Sequence, residues 1–246
     1  MSIGTARPFV LRMSNDWMAD MPLPWPLSGS LDLSRTAVVV IDMQTDFCGP
    51  NGWIDRLGQS IANTRKPIEP IARLLKAARA AGMPSIHTRE GHPPDLTDLN
   101  PVKRWRSRAH GVGIGDESNL GRALTRGEPG HDIIPELYPE PGEIVVDKPG
   151  KSSFHATEFD NVLRARGIEA IIIAGVTSDC CVQSTLRDAS DLGYDCILVT
   201  DGTQAVENTN HEGMLAVIAA HGGRWGASAT ADEINAMIAK VARPAS

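Results

Sequence analysis

Three reactive side chains stand where apolar, strand-like runs give way to polar residues. Asp42 follows Val38-Val39-Val40-Ile41, Lys148 follows Ile144-Val145-Val146-Asp147, and Cys181 lies just beyond Ile171-Ile172-Ile173-Ala174-Gly175-Val176. A thiol can attack a carbonyl carbon, a carboxylate can accept its proton, and an ammonium group can hold such neighbours in their charged forms. Cys181 is the most informative of the three. Ser178 and Asp179 have cap chemistry ahead of an amphipathic segment, which puts Cys181 in a first helical turn. The positive end of the helix dipole favours thiolate there. Ligands of open α/β sheets bind at the carboxyl ends of the strands, so the three residues meet at one sheet edge if their strands are neighbours. Each also has a plainer reading: a buried inert thiol, a capping aspartate, a solvated strand-end lysine.

The elements that must position them alternate regularly. Thr36–Ile41, Met83–Thr88, Glu143–Asp147, Ile168–Ala174 and Asp195–Thr200 read as strands, with a short sixth at Arg224–Ala227. Between and after them, Ile61–Ala81, Thr157–Arg166, Asp179–Leu192, Asn210–Ala220 and Ala231–Val241 read as helices. Pro67 and Pro70 delay or kink the first of these, and Gly82 stops it. Continuous apolar strands belong to a sheet covered on both faces, and parallel strands need helical crossovers. The expected fold is therefore α/β: a doubly wound, mostly parallel six-stranded sheet with helices on both faces, a Rossmann-like three-layer arrangement. The stretch from Glu90 to Glu140 is rich in Gly, Pro and charge and shows little periodicity, which suits a functional cover or an interface.

Composition narrows the classes. A chain of 246 residues, 41% hydrophobic and 22% charged, can bury one sizeable core. The reading is a proline-rich N-terminal arm over residues 1–33 and a single domain over residues 34–246. A net charge of −6 gives no electrostatic case for nucleic acid. No apolar run suits a membrane span, and no leader pattern opens the chain. The cysteines Cys48, Cys180, Cys181 and Cys196 form no C-x-x-C pair and no zinc spacing, which points to a reducing cytoplasm. No cofactor is expected.

Taken together, Val39-Val40-Ile41-Asp42-Met43-Gln44-Thr45-Asp46-Phe47, Lys148 with Ser152-Ser153-Phe154, and Gly175-Val176-Thr177-Ser178-Asp179-Cys180-Cys181-Val182 resemble the isochorismatase-like cysteine hydrolases. The resemblance runs from about Trp25 to Lys240. Within that family, the stretches around Asp42–Gly49, His87–His92, Lys103–Ser107, Leu124–Gly130 and Asp147–Lys151 look most like the biuret-cleaving members. The resemblance implies Cys181 as nucleophile, Asp42 as general base and then acid, and Lys148 as the charge that holds both. It also implies a cis peptide bond between Val176 and Thr177 and an oxyanion hole from the backbone N–H groups of Thr177 and Cys181. Relatives assemble as homotetramers, with the long loop and the arm at interfaces.

The implied reaction is cysteine amidohydrolysis: a thioester acyl-enzyme forms on a small ureide of the biuret type and ammonia is released. Guanylurea is the first alternative, then triuret or ureidoacrylate. Gln44, Phe47, Lys151, Arg108, His221 and Glu207 are the candidate substrate-binding residues. His221 stands where biuret-cleaving relatives place a glutamine, and a neutral His acceptor suits an amidine N–H. Glu207 could balance a cationic guanyl group. Arg108 belongs to the run Lys103–Arg108, which can equally be a solvated or subunit-facing surface. No metal is expected, although relatives that cleave nicotinamide bind one near the second strand, where His87 and His92 lie. A non-catalytic scaffold of the same fold and a redox role for Cys180-Cys181 stay open.

Overall fold

The computed structural model describes residues 25–242, and residues 1–24 of the expected arm lie outside them. Six strands appear in the order expected: β1 Thr36–Ile41, β2 Ser85–Glu90, β3 Ile144–Lys148, β4 Ala170–Val176, β5 Asp195–Gln204 and β6 Ala227–Ala229. The helices are α1 Thr45–Cys48, α2 Trp53–Arg56, α3 Ile68–Ala80, α4 Pro101–Ala109, α5 Phe159–Ala165, α6 Gln183–Asp191, α7 Asn208–Ala219 and α8 Ala231–Ala242. The sheet order is β3-β2-β1-β4-β5-β6, and every pairing is parallel.

The two central strands explain their own position. Every residue of β1 (Thr-Ala-Val-Val-Val-Ile) and of β4 (Ala-Ile-Ile-Ile-Ala-Gly-Val) is buried. Side chains of a strand alternate between faces, so these runs need cover on both sides. Val38 and Val40 join Ile172, Ala174, Leu74 and Leu75 of α3 and Ile234 and Ile238 of α8 on one face. Val39 and Ile41 join Ile171, Ile173, Phe159 of α5, Leu186 of α6 and Met214 of α7 on the other. Two helical layers thus enclose the sheet. The order reverses between β1 and β4, and that switch point opens a crevice at the carboxyl ends of the strands.

Several boundaries differ from the sequence reading, each for a local reason. Helix α3 starts only at Ile68, directly after Pro67, whose ring fixes φ and which serves as the N-cap residue. Strand β2 begins and ends two residues later than read, so that Glu90 becomes its last residue. The long excursion contains a helix, α4, that periodicity did not reveal. Its only buried residue is Ser107, so it has no apolar stripe to detect. Asn100 starts it by accepting a hydrogen bond from the Lys103 N–H at 2.8 Å, and Pro101 follows at the first position, where its missing N–H costs nothing. Beyond Val176 the chain first makes a π-helical turn, Ser178–Val182, which runs into α6. Neither Ser178 nor Asp179 caps it. Ser178 meets His211 Nδ1 instead, and Asp179 accepts from Asn210.

Close packing of β1 on β4 needs Gly175. Its φ is +115°, and a Cβ built there would lie 2.1 Å from the Ile41 carbonyl oxygen. Gly193 offers a contrast, with φ of +88° but open space around its Cβ position. We expect Gly193→Ala to cost about 1–2 kcal/mol, the strain of a left-handed L-residue alone. Gly175→Ala should cost at least ~2 kcal/mol more, because backbone must also move. Urea unfolding of the two variants checks this, and equal midpoints would contradict the close approach.

Candidate active site

Asp42 is the first residue past β1 and has a left-handed backbone, φ +52°, at a fully buried position. Such a conformation is costly for a non-glycine residue and persists where its surroundings demand it. Its carboxylate is held from two sides: Thr88 Oγ1 donates to Oδ1 at 2.7 Å, and Lys148 Nζ lies 2.7 Å from Oδ2. Lys148 ends β3, which is not a neighbour of β1, so its ammonium reaches the site across the end of β2. The ammonium also donates to the carbonyls of Gly150 at 2.9 Å and Lys151 at 3.0 Å. The two hydrogen bonds and the ion pair with Asp42 fix the buried ammonium in place.

Cys181 sits within the π-helical turn and is buried. Thr185 Oγ1 donates to its carbonyl at 2.8 Å and accepts from the Ser153 N–H at 3.0 Å, tying the turn to the segment after Lys148. The Val176–Thr177 peptide bond just before the turn is cis. The structure thus brings Asp42, Lys148 and Cys181 together at the switch point.

It also brings a fourth residue that sequence reasoning missed. Glu90 ends β2 in register with Lys148 on β3, and it is 1% exposed. Its Oε2 accepts from the Cys181 thiol at 3.3 Å and lies 3.6 Å from Lys148 Nζ. Its Oε1 lies 2.6 Å from Lys103 Nζ and 3.6 Å from Lys151 Nζ. The signal that would have found it is the two-residue period of a strand. Thr88 meets Asp42, and Glu90 must project from the same face once β2 extends that far.

Burial and charge divide the labour between the two carboxylates. Burial raises the Asp42 carboxyl above the ordinary range, more than Lys148 lowers it. Burial would raise Glu90 too, but Lys148, Lys151 and Lys103 outweigh it and hold that carboxylate ionised. The negative charges around Lys148 outweigh its own burial penalty and keep it protonated. Cys181 is pushed above the ordinary thiol value by the adjacent Cys180, by burial and by the two carboxylates. The helix-dipole expectation of a resting thiolate therefore gives way to a thiol. Its neighbour Cys180 is lowered to about 7 by Cys181 and Lys151, against its own burial.

The substrate-binding candidates divide. Lys151 lies at the site, half-exposed beside Glu90. Gln44 is fully buried with its amide engaged: Nε2 donates to the carbonyls of Glu90 and His131, and Oε1 accepts from the Glu90 N–H. It positions Glu90 and offers nothing to a ligand. Phe47 is buried in the core edge-on to Trp53, with ring centroids 6.2 Å apart. Arg108 is exposed, 4.0 Å from Asp116. Its helix does reach the site, but through Lys103, and five residues turn a helix by about 140°. Glu207 is exposed at the N-cap of α7. The side chain of His221 lies outside the described residues, and its backbone forms part of a turn at Ala220–Gly222.

For a metal, the donor atoms of Asp42, Glu90 and Cys181 all lie within 4.8 Å of one another. The Lys148 ammonium, however, already stands against both carboxylates, so a cation there would face a fixed positive charge. His87 and His92 do not converge: His87 pairs with Glu143 and His92 with Asp98. A groove of about 550 Å³ opens at the opposite end of the sheet, lined by Thr36, Ala170 and Asp195 where β1, β4 and β5 begin, far from this chemistry. No helix among the described residues is long and apolar enough to cross a membrane.

Known proteins resemble this chain in sequence and in fold. The isochorismatase domain model matches residues 36–230. Ureidoacrylate amidohydrolase RutB of Azorhizobium caulinodans is 37% identical over 183 residues, 73% of this chain and 80% of the relative. The protein of the same name from Methylobacterium radiotolerans is 34% identical over 200 residues, covering 79% and 76%. Among solved structures, a cysteine hydrolase from Pseudomonas syringae pv. phaseolicola superposes with a TM-score of 0.75 at 28% identity, covering 92% of this chain and all of the other. The expected fold and family are both met, and the chain belongs to the isochorismatase family.

Proposed function

We propose that this protein hydrolyses a C–N bond of a small ureide through a thioester acyl-enzyme on Cys181. The curated relatives are named amidohydrolases, and the chain is a hydrolase of amide C–N bonds. The observation that carries the reading is a buried thiol beside a carboxylate whose proton affinity is raised, with a buried ammonium between the carboxylates. A thiol at rest needs a base, and Asp42 has the better proton affinity of the two acids.

The steps balance as follows. Asp42 takes the Cys181 proton while sulfur bonds to the carbonyl carbon and the carbonyl π pair moves to oxygen. The oxyanion faces the backbone of the Thr177–Cys181 turn, where N–H donors stabilise such charge. The pair returns, the C–N bond breaks, and Asp42 gives its proton to the departing nitrogen, which leaves as ammonia from a terminal carbamoyl group. Water then attacks the thioester, Asp42 takes its proton, and sulfur recovers it as the carboxylated product departs. Lys148 stays protonated throughout.

Biuret is the first candidate substrate. Asp42, Lys148, Glu90 and Cys181 are each under 5% exposed, which suits a small, neutral molecule rich in donors and acceptors. Guanylurea and triuret share that character. Ureidoacrylate is a second reading, favoured by the names of the relatives and by the half-exposed Lys151 ammonium, a partner for a carboxylate.

Ammonia release from biuret, guanylurea, triuret and ureidoacrylate is the direct assay. One ureide should be turned over well above the others by the wild type, and Cys181→Ser should abolish it. Turnover that survives in the serine variant would remove the acyl-enzyme. Asp42→Asn should lower kcat/KM by roughly 10²–10⁴-fold. In the wild type, kcat/KM should rise with pH through an acid limb displaced above the usual aspartate value near 4, because Asp42 must be ionised to act and burial raises it. A limb at or below 4 would assign the base elsewhere. Dialysis against EDTA should leave turnover intact. Inactivation by the chelator, reversed by zinc or iron, would contradict the place given to Lys148.

A further inference from the structure

We infer that Glu90 is a specificity-determining carboxylate, which admits acyl donors carrying N–H groups beside the scissile carbonyl and rejects those that present a carboxylate or ester oxygen there. This deepens the proposed function, because it rests on Cys181 as the nucleophile.

The placement is specific. Glu90 Oε2 is the carboxylate oxygen within hydrogen-bond distance of the nucleophilic sulfur, at 3.3 Å, whereas both oxygens of Asp42 are engaged by Thr88 and Lys148. Glu90 cannot swing away. Gln44 clamps its backbone N–H and carbonyl together, and Lys103 holds Oε1 while donating to the Pro149 carbonyl at 2.6 Å. The charged or titratable groups facing it are Lys148 from β3, Lys151 from the following loop, Lys103 from α4, Asp42 from just past β1, His92 from just past β2, and the thiols of Cys181 and Cys180. Three ammonium groups against one carboxylate keep Glu90 an acceptor and never a donor.

In the resting protein the thiol satisfies that acceptor. Once the thiol proton has moved to Asp42, Oε2 faces a sulfur with no hydrogen, and two anionic atoms stand in contact. A donor must take the vacated place. The substituents on the carbonyl carbon that sulfur attacks are the groups closest at hand. An amino or ureido nitrogen supplies the missing hydrogen. An ester or carboxylate oxygen sets lone pair against lone pair, and a buried acceptor left without a donor discriminates strongly.

Two alkylating agents of nearly equal size test this without any substrate. Iodoacetamide presents an NH2 group and iodoacetate a carboxylate, and each forms a C–S bond to Cys181 as iodide leaves. Rates are read by peptide mass in a Cys180→Ser background, with free cysteine as the reference. The ratio of iodoacetamide to iodoacetate rates at Cys181 should exceed that of free cysteine by at least about tenfold, and Glu90→Gln should bring it back to the free value. Alkylation by iodoacetate should become faster in Glu90→Gln at neutral pH, because the like charge that raises the thiol pKa is gone, while kcat/KM on the preferred ureide falls by about 100-fold. A structural role alone cannot speed one reaction and slow another. An unchanged ratio, or an equal slowing with both reagents, overturns the inference. A Cys181 that alkylates with the expected ratio in a wild type that hydrolyses no ureide would instead sink the proposed function and leave the role of Glu90 standing.

Discussion

The buried contact between Lys148 and Asp42 organises the rest of the site. Both side chains are wholly inaccessible and their charged atoms lie 2.7 Å apart. Removing two charges from water costs several kcal/mol per ion, and attraction repays it only when the remaining donors and acceptors are satisfied. Here they are. Thr88 completes one oxygen of Asp42, and the carbonyls of Gly150 and Lys151 complete the ammonium. The chain after β3 must fold back on its own lysine to provide those carbonyls. That requirement shapes the loop that carries Lys151 to the edge of the site and Ser153 to Thr185.

A fixed positive charge in turn allows two carboxylates to share a dry space with a thiol. Without Lys148, Asp42 and Glu90 would repel each other and burial would protonate at least one of them. With it, their environments diverge: Glu90 is surrounded by three lysines and stays ionised, while Asp42 keeps a raised proton affinity. Pairs of acids pushed apart in this way can take separate roles, one moving a proton and one accepting hydrogen bonds. The same reasoning gives the long segment after β2 its purpose. Helix α4 brings Lys103 to Glu90, and Asp46 anchors the segment by accepting from the Leu124 N–H at 2.8 Å. The excursion is tied to the site and adds charge to it rather than looping free of it.

Much of this was legible in the sequence because the signals are local. Apolar runs without alternation showed buried parallel strands, and β1 falls where it was read. The residues after those runs included Asp42, Lys148 and Cys181. Their family resemblance to cysteine hydrolases anticipated the cis bond at Val176–Thr177. What failed to show has a physical reason in each case. Helix α4 is held by Asn100 and by Lys103 instead of an apolar face, so periodicity was silent. Gln44 looked like a ligand-facing amide, yet the backbone of Glu90 and the carbonyl of His131 consume it.

The sequence by itself determined the fold class and, through the resemblance of its motifs, the family, and it set Asp42, Lys148 and Cys181 just past strand-like runs, because strand patterning and strand-end residues are properties of short segments. Only the tertiary structure decided the state of the Cys181 thiol and the company it keeps. Whether Cys181 rests as thiol or thiolate depends on its neighbour Cys180, on burial and on charges at the ends of β1, β2 and β3, segments far apart in the chain. Glu90 became part of the site because β2 lies between β1 and β3 and Lys148 has to pass its end to reach Asp42. A sum of charges over such distances exists only once the chain has folded.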